Sequence, residues 1–226
     1  MKSAYLVVVL GLFFLSCARE PIKTGGVIIP LTDKGGGNTC KTIKIGKQEW
    51  MAENLNVSCY RNGDSIPQVQ DAEKWKNLTT SAWCYYKNNA EHEKTYGKLY
   101  NWYAVNDPRG LAPESWHIPA DDEWTILTDC LGGKDVAGGK LKESDTTHWT
   151  SPNVGATNES GFSALPGSAR SPDGSFGCMG HSGGWWSTTE FDTVSAWCHP
   201  MSYHDTSVHR NSYDKRCALS IRCVRN

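Results

Sequence analysis

The stretch from Ser175 to Asn226 limits what this chain can fold into more than any other. Large residues (Trp185, Trp186 and Trp197, then Leu219, Ile221, Cys223 and Val224) recur through it, interleaved with short polar ones: His181, Ser182, His199, Ser202, His204, Asp205, His209, Asn211 and Asp214. A strand-rich core ordinarily alternates apolar residues with soluble charged ones such as Lys and Glu. Small hydrogen-bonding groups at the non-frame positions describe instead a recognition surface carried on a rigid scaffold. Ten Trp and 22 Gly, with only 38% hydrophobic residues, point to a loop-rich fold of short strands whose core depends on large aromatic rings.

At 226 residues the chain is long enough for one well-buried domain with a leader and a linker. Lys2 precedes an apolar run from Ala4 to Leu15, too short to span a bilayer comfortably, which ends at Ser16-Cys17. Residues 1–16 therefore read as a secretory signal, and the stretch resembles a bacterial lipoprotein signal, in which the peptide is cut before a cysteine that is then acylated. The resemblance makes Cys17 the lipidation site and places the protein, secreted and lipid-anchored, at the outer membrane or cell surface of a bacterium. Residues 17–38, with Gly25-Gly26 and Gly35-Gly36-Gly37, have the composition of a flexible tether, which leaves 39–226 for the domain. A formal net charge of −1 and no Lys/Arg-rich tract give no field that would draw nucleic acid.

Along the domain, Thr42-Ile43-Lys44-Ile45 alternates with period two and turns at Gly46-Lys47 into Glu49-Trp50-Met51, which predicts a hairpin. Asp71 is placed to cap a short helix to Leu78, Trp83–Tyr86 is strand-like, and Leu99, Trp102 and Tyr103 fall on one face of a helix over 99–105. Pro119 followed by three acids, with Trp124, Leu127 and Leu131 at spacings of three and four, predicts a helix from about Ala120 to Leu131 that ends at Gly132-Gly133. Short strands and turns are expected beyond it. Nine cysteines less Cys17 leave eight, an even number for an oxidising compartment. The candidate pairs are Cys130 with Cys223 and Cys59 with Cys84, although spacing alone fixes no connectivity.

Several segments, in order, resemble the Fibrobacter succinogenes major paralogous domain: Trp50-Met51-Ala52-Glu53-Asn54-Leu55-Asn56, Tyr96-Gly97-Lys98-Leu99-Tyr100-Asn101-Trp102-Tyr103-Ala104-Val105, Trp116-His117-Ile118-Pro119 with Asp122-Glu123-Trp124, Ala137-Gly138-Gly139-Lys140-Leu141-Lys142, Gly155-Ala156-Thr157-Asn158-Glu159-Ser160-Gly161-Phe162, Trp185-Trp186-Ser187 and Ile221-Arg222-Cys223-Val224-Arg225. Such domains look related to the formylglycine-generating-enzyme branch of the C-type-lectin-like fold. The resemblance implies an α+β fold, two helices around small twisted antiparallel sheets, with a binding face made by the C-terminal strands and loops. No cofactor is expected, though the related fold suggests a structural calcium ion near Asn158 and Glu159.

Enzymatic readings are weaker on the residues. Copper oxidase chemistry of the related fold needs two cysteines presented together, and in sequence Cys198 has no companion nearer than Cys217. Gly180-His181-Ser182-Gly183-Gly184 matches a nucleophile elbow in letters, but the β-prone Trp185–Thr189 follows where a helix is required. His199, His204 and His209 recur at intervals of five, a spacing that matches no single face of a helix or strand, so no metal is assigned to them. Asp121, Asp122 and Glu123 are explained by a helix N-terminus.

Fifteen tail residues (Gly177, Cys178, His181, Ser182, Gly184, Cys198, His199, Pro200, Ser202, His204, Asp205, His209, Ser212, Asp214 and Cys217) all have codons reachable by randomising the adenines of AAC. In that respect the tail looks like a variable protein of a diversity-generating retroelement. The expected function is binding of an extracellular protein or glycan. The expected contacts are His181, Ser182, Trp185, His199, Ser202, Tyr203, His204, Asp205, His209, Asn211, Tyr213 and Asp214, with no catalytic residue. The alternatives are a copper oxidase or hydrolase on the same fold, and a passive adhesion or surface-structure subunit.

Overall fold

The computed structural model describes residues 27–31 and 38–226, with side chains from residue 41 onward. The signal segment 1–16 and Cys17 lie outside the described residues. The expected tether does not run unbroken to residue 38: Val27–Leu31 forms strand β1, paired antiparallel with β2 (Asn38–Ile45). Its Val-Ile-Ile-Pro-Leu sequence is apolar and largely β-branched, a pattern that favours a strand between glycine-rich flanks.

Gly46, with φ +59°, turns β2 into β3 (Gln48–Met51), so the expected hairpin forms with Ile43 opposite Trp50. α1 (Ala72–Lys76) starts where Asp71 accepts the Lys74 N–H at 2.8 Å. β4 (Trp83–Cys84) and α2 (Glu93–Tyr96) follow. The helix expected over 99–105 is divided: Leu99–Asn101 is strand β5, paired with β4, and only Trp102–Val105 is helical (α3). Asn101 sets the division, because its Oδ1 accepts from Ala82 N at 2.9 Å and from Ala104 N at 3.2 Å, holding β5 in place while capping α3.

After β6 (Trp116–His117) comes α4 (Asp121–Cys130), the helix predicted from Pro119 and the acids. Glu123 Oε2 accepts the Ala120 N–H at 2.9 Å, Trp124 and Leu127 are buried, and Gly132 and Gly133 leave the helix at φ near +100°. α5 (Lys134–Leu141) was not expected, since Gly138 and Gly139 inside it disfavour a helix by about 1 kcal/mol each. The last third carries β7 (Ser182–Glu190), β8 (Ser195–Ser202), β9 (Asn211–Asp214), β10 (Ala218–Leu219) and β11 (Val224–Arg225).

Among the described residues the strands make three antiparallel sheets, ordered β1-β2-β3-β11-β6, β10-β5-β4 and β7-β8-β9. The final strand is interior to the first sheet, Val224 lying opposite both Trp50 and His117, so the two ends of the domain are joined. Successive side chains on β7 point to opposite faces. Trp185 enters a cluster with Trp50, Trp124, Trp149 and Phe162, and Trp186 enters another with Tyr100, Trp102, Leu219 and Ile221. Both rings are fully buried, so β7 is fixed from both sides.

Neither candidate disulfide forms. Cys59 and Cys130 are exposed thiols and Cys84 is a buried one. Cys130 faces Gly46 at the end of α4, whereas Cys223 lies in the cluster around Trp186; Cys84 is enclosed in a third cluster with Trp75 and Leu99, away from exposed Cys59. Burial pushes the Cys84 thiol up to about 12.

Candidate ligand-binding face

The twelve expected contact residues fall into four groups. His181, Ser202, Tyr203, His204, Asp205 and His209 form one continuous strip. The His181 and Tyr203 rings lie 5.1 Å apart, and Tyr203 meets His204 at 5.4 Å. Ser202 Oγ is 2.6 Å from His204 Nδ1, and Asp205 Oδ2 lies 2.9 Å from His209 Nε2 and 3.5 Å from His204 Nε2. His181, His204 and His209 are exposed and the other three half-buried. Burial opposes the Asp205 charge, but the Ser207 N–H and the His209 ring outweigh it and hold the carboxyl below its ordinary range.

His181 and Ser182 also border a hollow of about 540 Å³ together with Ser212, Tyr213, Asp214 and Cys217. Asp214 is engaged by Arg216, at 2.9 and 2.6 Å, so its side chain shapes the wall. Asn211 stands exposed at the start of β9.

Trp185 and His199 are the corrections. Trp185 is wholly buried and donates through Nε1 to Asn54 Oδ1 at 2.9 Å. His199 is only 4% exposed and stacks on Trp124 with centroids 4.8 Å apart. Its Nε2 lies 3.1 Å from Asp121 Oδ1 but is misaligned for a hydrogen bond. Burial pushes the imidazole below its usual value more strongly than Asp121 raises it, so at neutral pH a neutral ring faces an ionised carboxylate that Arg210 grips at 2.9 and 3.0 Å. Strand period explains both errors: side chains of Trp185, His199 and Met201 share the inward face of the β7–β8 pair. Of the fifteen codon-related positions, Gly184, Cys198, His199 and Cys217 are buried and belong to the frame.

The strip is held from behind by residues that the binding argument from sequence left out. Lys142 is fully buried, and its Nζ donates to three carbonyl oxygens: Ser202 at 2.8 Å, Asp205 at 2.8 Å and Val154 at 3.1 Å. Burial lowers its ammonium to about 8. Val154 N donates to Tyr203 O at 2.8 Å, Gly139 N to Thr206 O at 3.0 Å, and Val208 N to Lys134 O at 2.8 Å. A Cβ on Gly138 would sit 2.3 Å from Ser207 O, and one on Gly139 2.4 Å from Gly155 O, which is why a helix tolerates two glycines here. The signal was present in Gly138-Gly139-Lys140-Leu141-Lys142, but a motif does not say what a glycine makes room for.

The enzymatic alternatives also acquire geometry. Ser182 opens strand β7 and no helix follows, so the strand-to-helix turn of a nucleophile elbow is not built. Cys198 and Cys217, distant in sequence, lie in one core cluster, and burial raises both thiols, Cys217 to about 12. Asp121 pairs with Arg210, while Glu123 lies 2.8 Å from His117 Nε2. Asn158 Oδ1 accepts the Ser163 N–H and Glu159 pairs with Lys140, so these oxygens are already engaged.

The molecule is thus an α+β protein of small antiparallel sheets, with a polar and aromatic strip formed by His181, the end of β8 and the loop that joins β8 to β9. Residues 43–225 match the model of the Fibrobacter succinogenes major domain, and the chain belongs to that family. No curated protein and no solved structure matches it.

Proposed function

We propose that this chain is a lipid-anchored bacterial surface protein whose C-type-lectin-like domain binds an extracellular protein or glycan through the His181–His209 strip and the adjoining hollow. The fold assignment draws support from the meeting of the N- and C-terminal strands in one sheet and from the two longest helices packing side by side. The anchor rests on the sequence around Cys17.

One observation carries the binding function: the loop bearing the strip is secured through its main chain. Lys142, Val154, Gly139 and Lys134 engage backbone atoms of residues 202, 203, 205, 206 and 208. Those backbone contacts are indifferent to side-chain identity, so the loop can change its exposed residues, His204 and His209, without losing its shape, while Thr206 and Asp205 add side-chain ties of their own. A surface diversified at its exposed positions needs that property, and rings such as Tyr203 supply contact area at low entropic cost. Copper oxidase chemistry is the runner-up, because Cys198 and Cys217 share a cluster; their raised thiols make the required thiolate pair costly.

The full chain, reconstituted in lipid nanodiscs, should be screened against arrayed surface glycans and secreted proteins. A true ligand should be bound at least about tenfold more weakly by a His181→Ala/Tyr203→Ala/His204→Ala variant whose melting temperature is unchanged. Ligands held equally by parent and variant would refute the assignment to this face, and bound copper with turnover lost in Cys198→Ala would replace binding with catalysis.

A further inference from the structure

A second cavity, about 830 Å³, shares no lining residue with the strip or its hollow. It lies among β2, the segment after β3, α2, the turn at Glu143–His148 and the loop at Asn158–Ser163. Its size falls within the ~300–1,000 Å³ usual for small-ligand clefts. Four of the family-like segments contribute to it, which neither the interleaved tail nor the strip explains.

The base is rigid. The Arg222 guanidinium, 1% exposed, donates to Asn54 Oδ1 at 3.1 and 2.9 Å and to the Phe162 carbonyl at 2.7 Å, and Asn54 in turn donates to Tyr96 O at 3.0 Å. The walls hold their planar polar groups in pairs. Asn56 and Glu93 are bridged by Lys98, at 2.6 and 3.1 Å; Glu143 holds His148 at 2.9 Å; Asn158 and Ser163 exchange two bonds of 2.8 Å. Such groups meet a ligand already oriented.

Chemistry selects the ligand. Among the described residues the lining carries four glutamates against three lysines and one arginine, a balance that gives no net preference for an ion. Carboxylates only accept hydrogen bonds and ammonium groups only donate, while Asn56 and Asn158 each spend one N–H and one oxygen lone pair on neighbours and keep one of each for a ligand. A hydroxyl, donor and acceptor at once, satisfies every such position. No Trp, Tyr or Phe is among the described lining residues, so hydrogen bonding rather than ring stacking would hold the ligand.

We propose that this cleft is a second binding site, for a neutral, hydroxyl-rich ligand such as a segment of uncharged oligosaccharide. It is independent of the strip and stands or falls apart from it. The test is titration of the isotope-labelled full chain with cellohexaose and mannohexaose, with polygalacturonate and spermine as charged controls. Side-chain amide resonances of Asn56 and Asn158 should move with at least one neutral sugar, and a Glu53→Ala/Asn56→Ala variant, altered at two exposed positions, should bind it about tenfold more weakly. No movement with either sugar, tighter binding of a charged control, or movement at His181 and Tyr203 in place of the cleft amides would overturn the proposal; the last would still leave the strip as a binding face.

Discussion

The loop carrying the strip and the walls of the cleft are both polar surfaces on one rigid domain, but they are held in opposite ways. The loop from Ser202 to Val208 is gripped through its backbone by Lys142 and by the glycine-bearing helix α5. Above a base where Arg222 and Asn54 bond main-chain carbonyls, the cleft walls are held by side chains engaging side chains, such as Lys98 with Asn56 and Glu93. A surface of the first kind keeps its main-chain path when exposed residues such as His204 and His209 change, although those rings also pair with Ser202 and Asp205. One of the second kind couples each residue to its neighbour, so its composition is constrained as a set.

Breaking the loop's support should have the largest effect. Lys142→Met would remove a buried ammonium that donates to three carbonyl oxygens and should lower stability by about 3 kcal/mol in chemical denaturation. Gly138→Ala should cost about 2 kcal/mol despite alanine's better helix propensity, because its Cβ would collide with Ser207 O; heteronuclear spectra should show displacement concentrated at residues 205–209. If either change is tolerated like a surface substitution, the backbone grip is not what secures the loop.

His199 gives a pH test of the frame beneath. Its ring titrates below the ordinary 6.5, mainly through burial, so the unfolded chain takes up this proton first as the solution is acidified. This stabilising contribution is complete above about pH 6.5 and declines as pH falls through the folded-state value. His199→Gln should flatten that slope in melting curves between pH 7 and 5. Asp121 titrates below its ordinary 3.8, so its contribution is lost only at more acid pH.

A smaller effect sharpens the contrast itself. A double-mutant cycle on Lys98 and Asn56 should return a coupling of about 1 kcal/mol, as expected for neighbours sharing a charged hydrogen bond. The exposed residues His204 and His209, each replaced by alanine, should shift stability by less than about 0.5 kcal/mol and add independently of Lys98.

Much of this was legible beforehand where one short-range rule sufficed. Period two gave the β2–β3 hairpin, and Pro119 with three acids and a glycine pair gave α4 nearly to the residue. The sequence also singled out the six residues of the strip. Rules conflicted elsewhere: Asn101 capped a helix that apolar spacing had begun too early, and Gly138-Gly139 hid α5 because helix propensity counts a glycine's cost but cannot see the loop it admits.

By itself, then, the chain determined its family, the alternation of a large-residue frame with short polar groups in its tail, and the local elements whose periodicity and caps are contained within a dozen residues. Only the tertiary structure decided which polar groups face outward. Trp185 and His199 turn inward because strand pairing assigns each side chain to a face, while the buried Lys142, from a segment some sixty residues away in sequence, holds the loop at Ser202 and Asp205 by donating to its carbonyls. Burial and pairing over such separations are properties of the assembled sheets, and no local pattern encodes them.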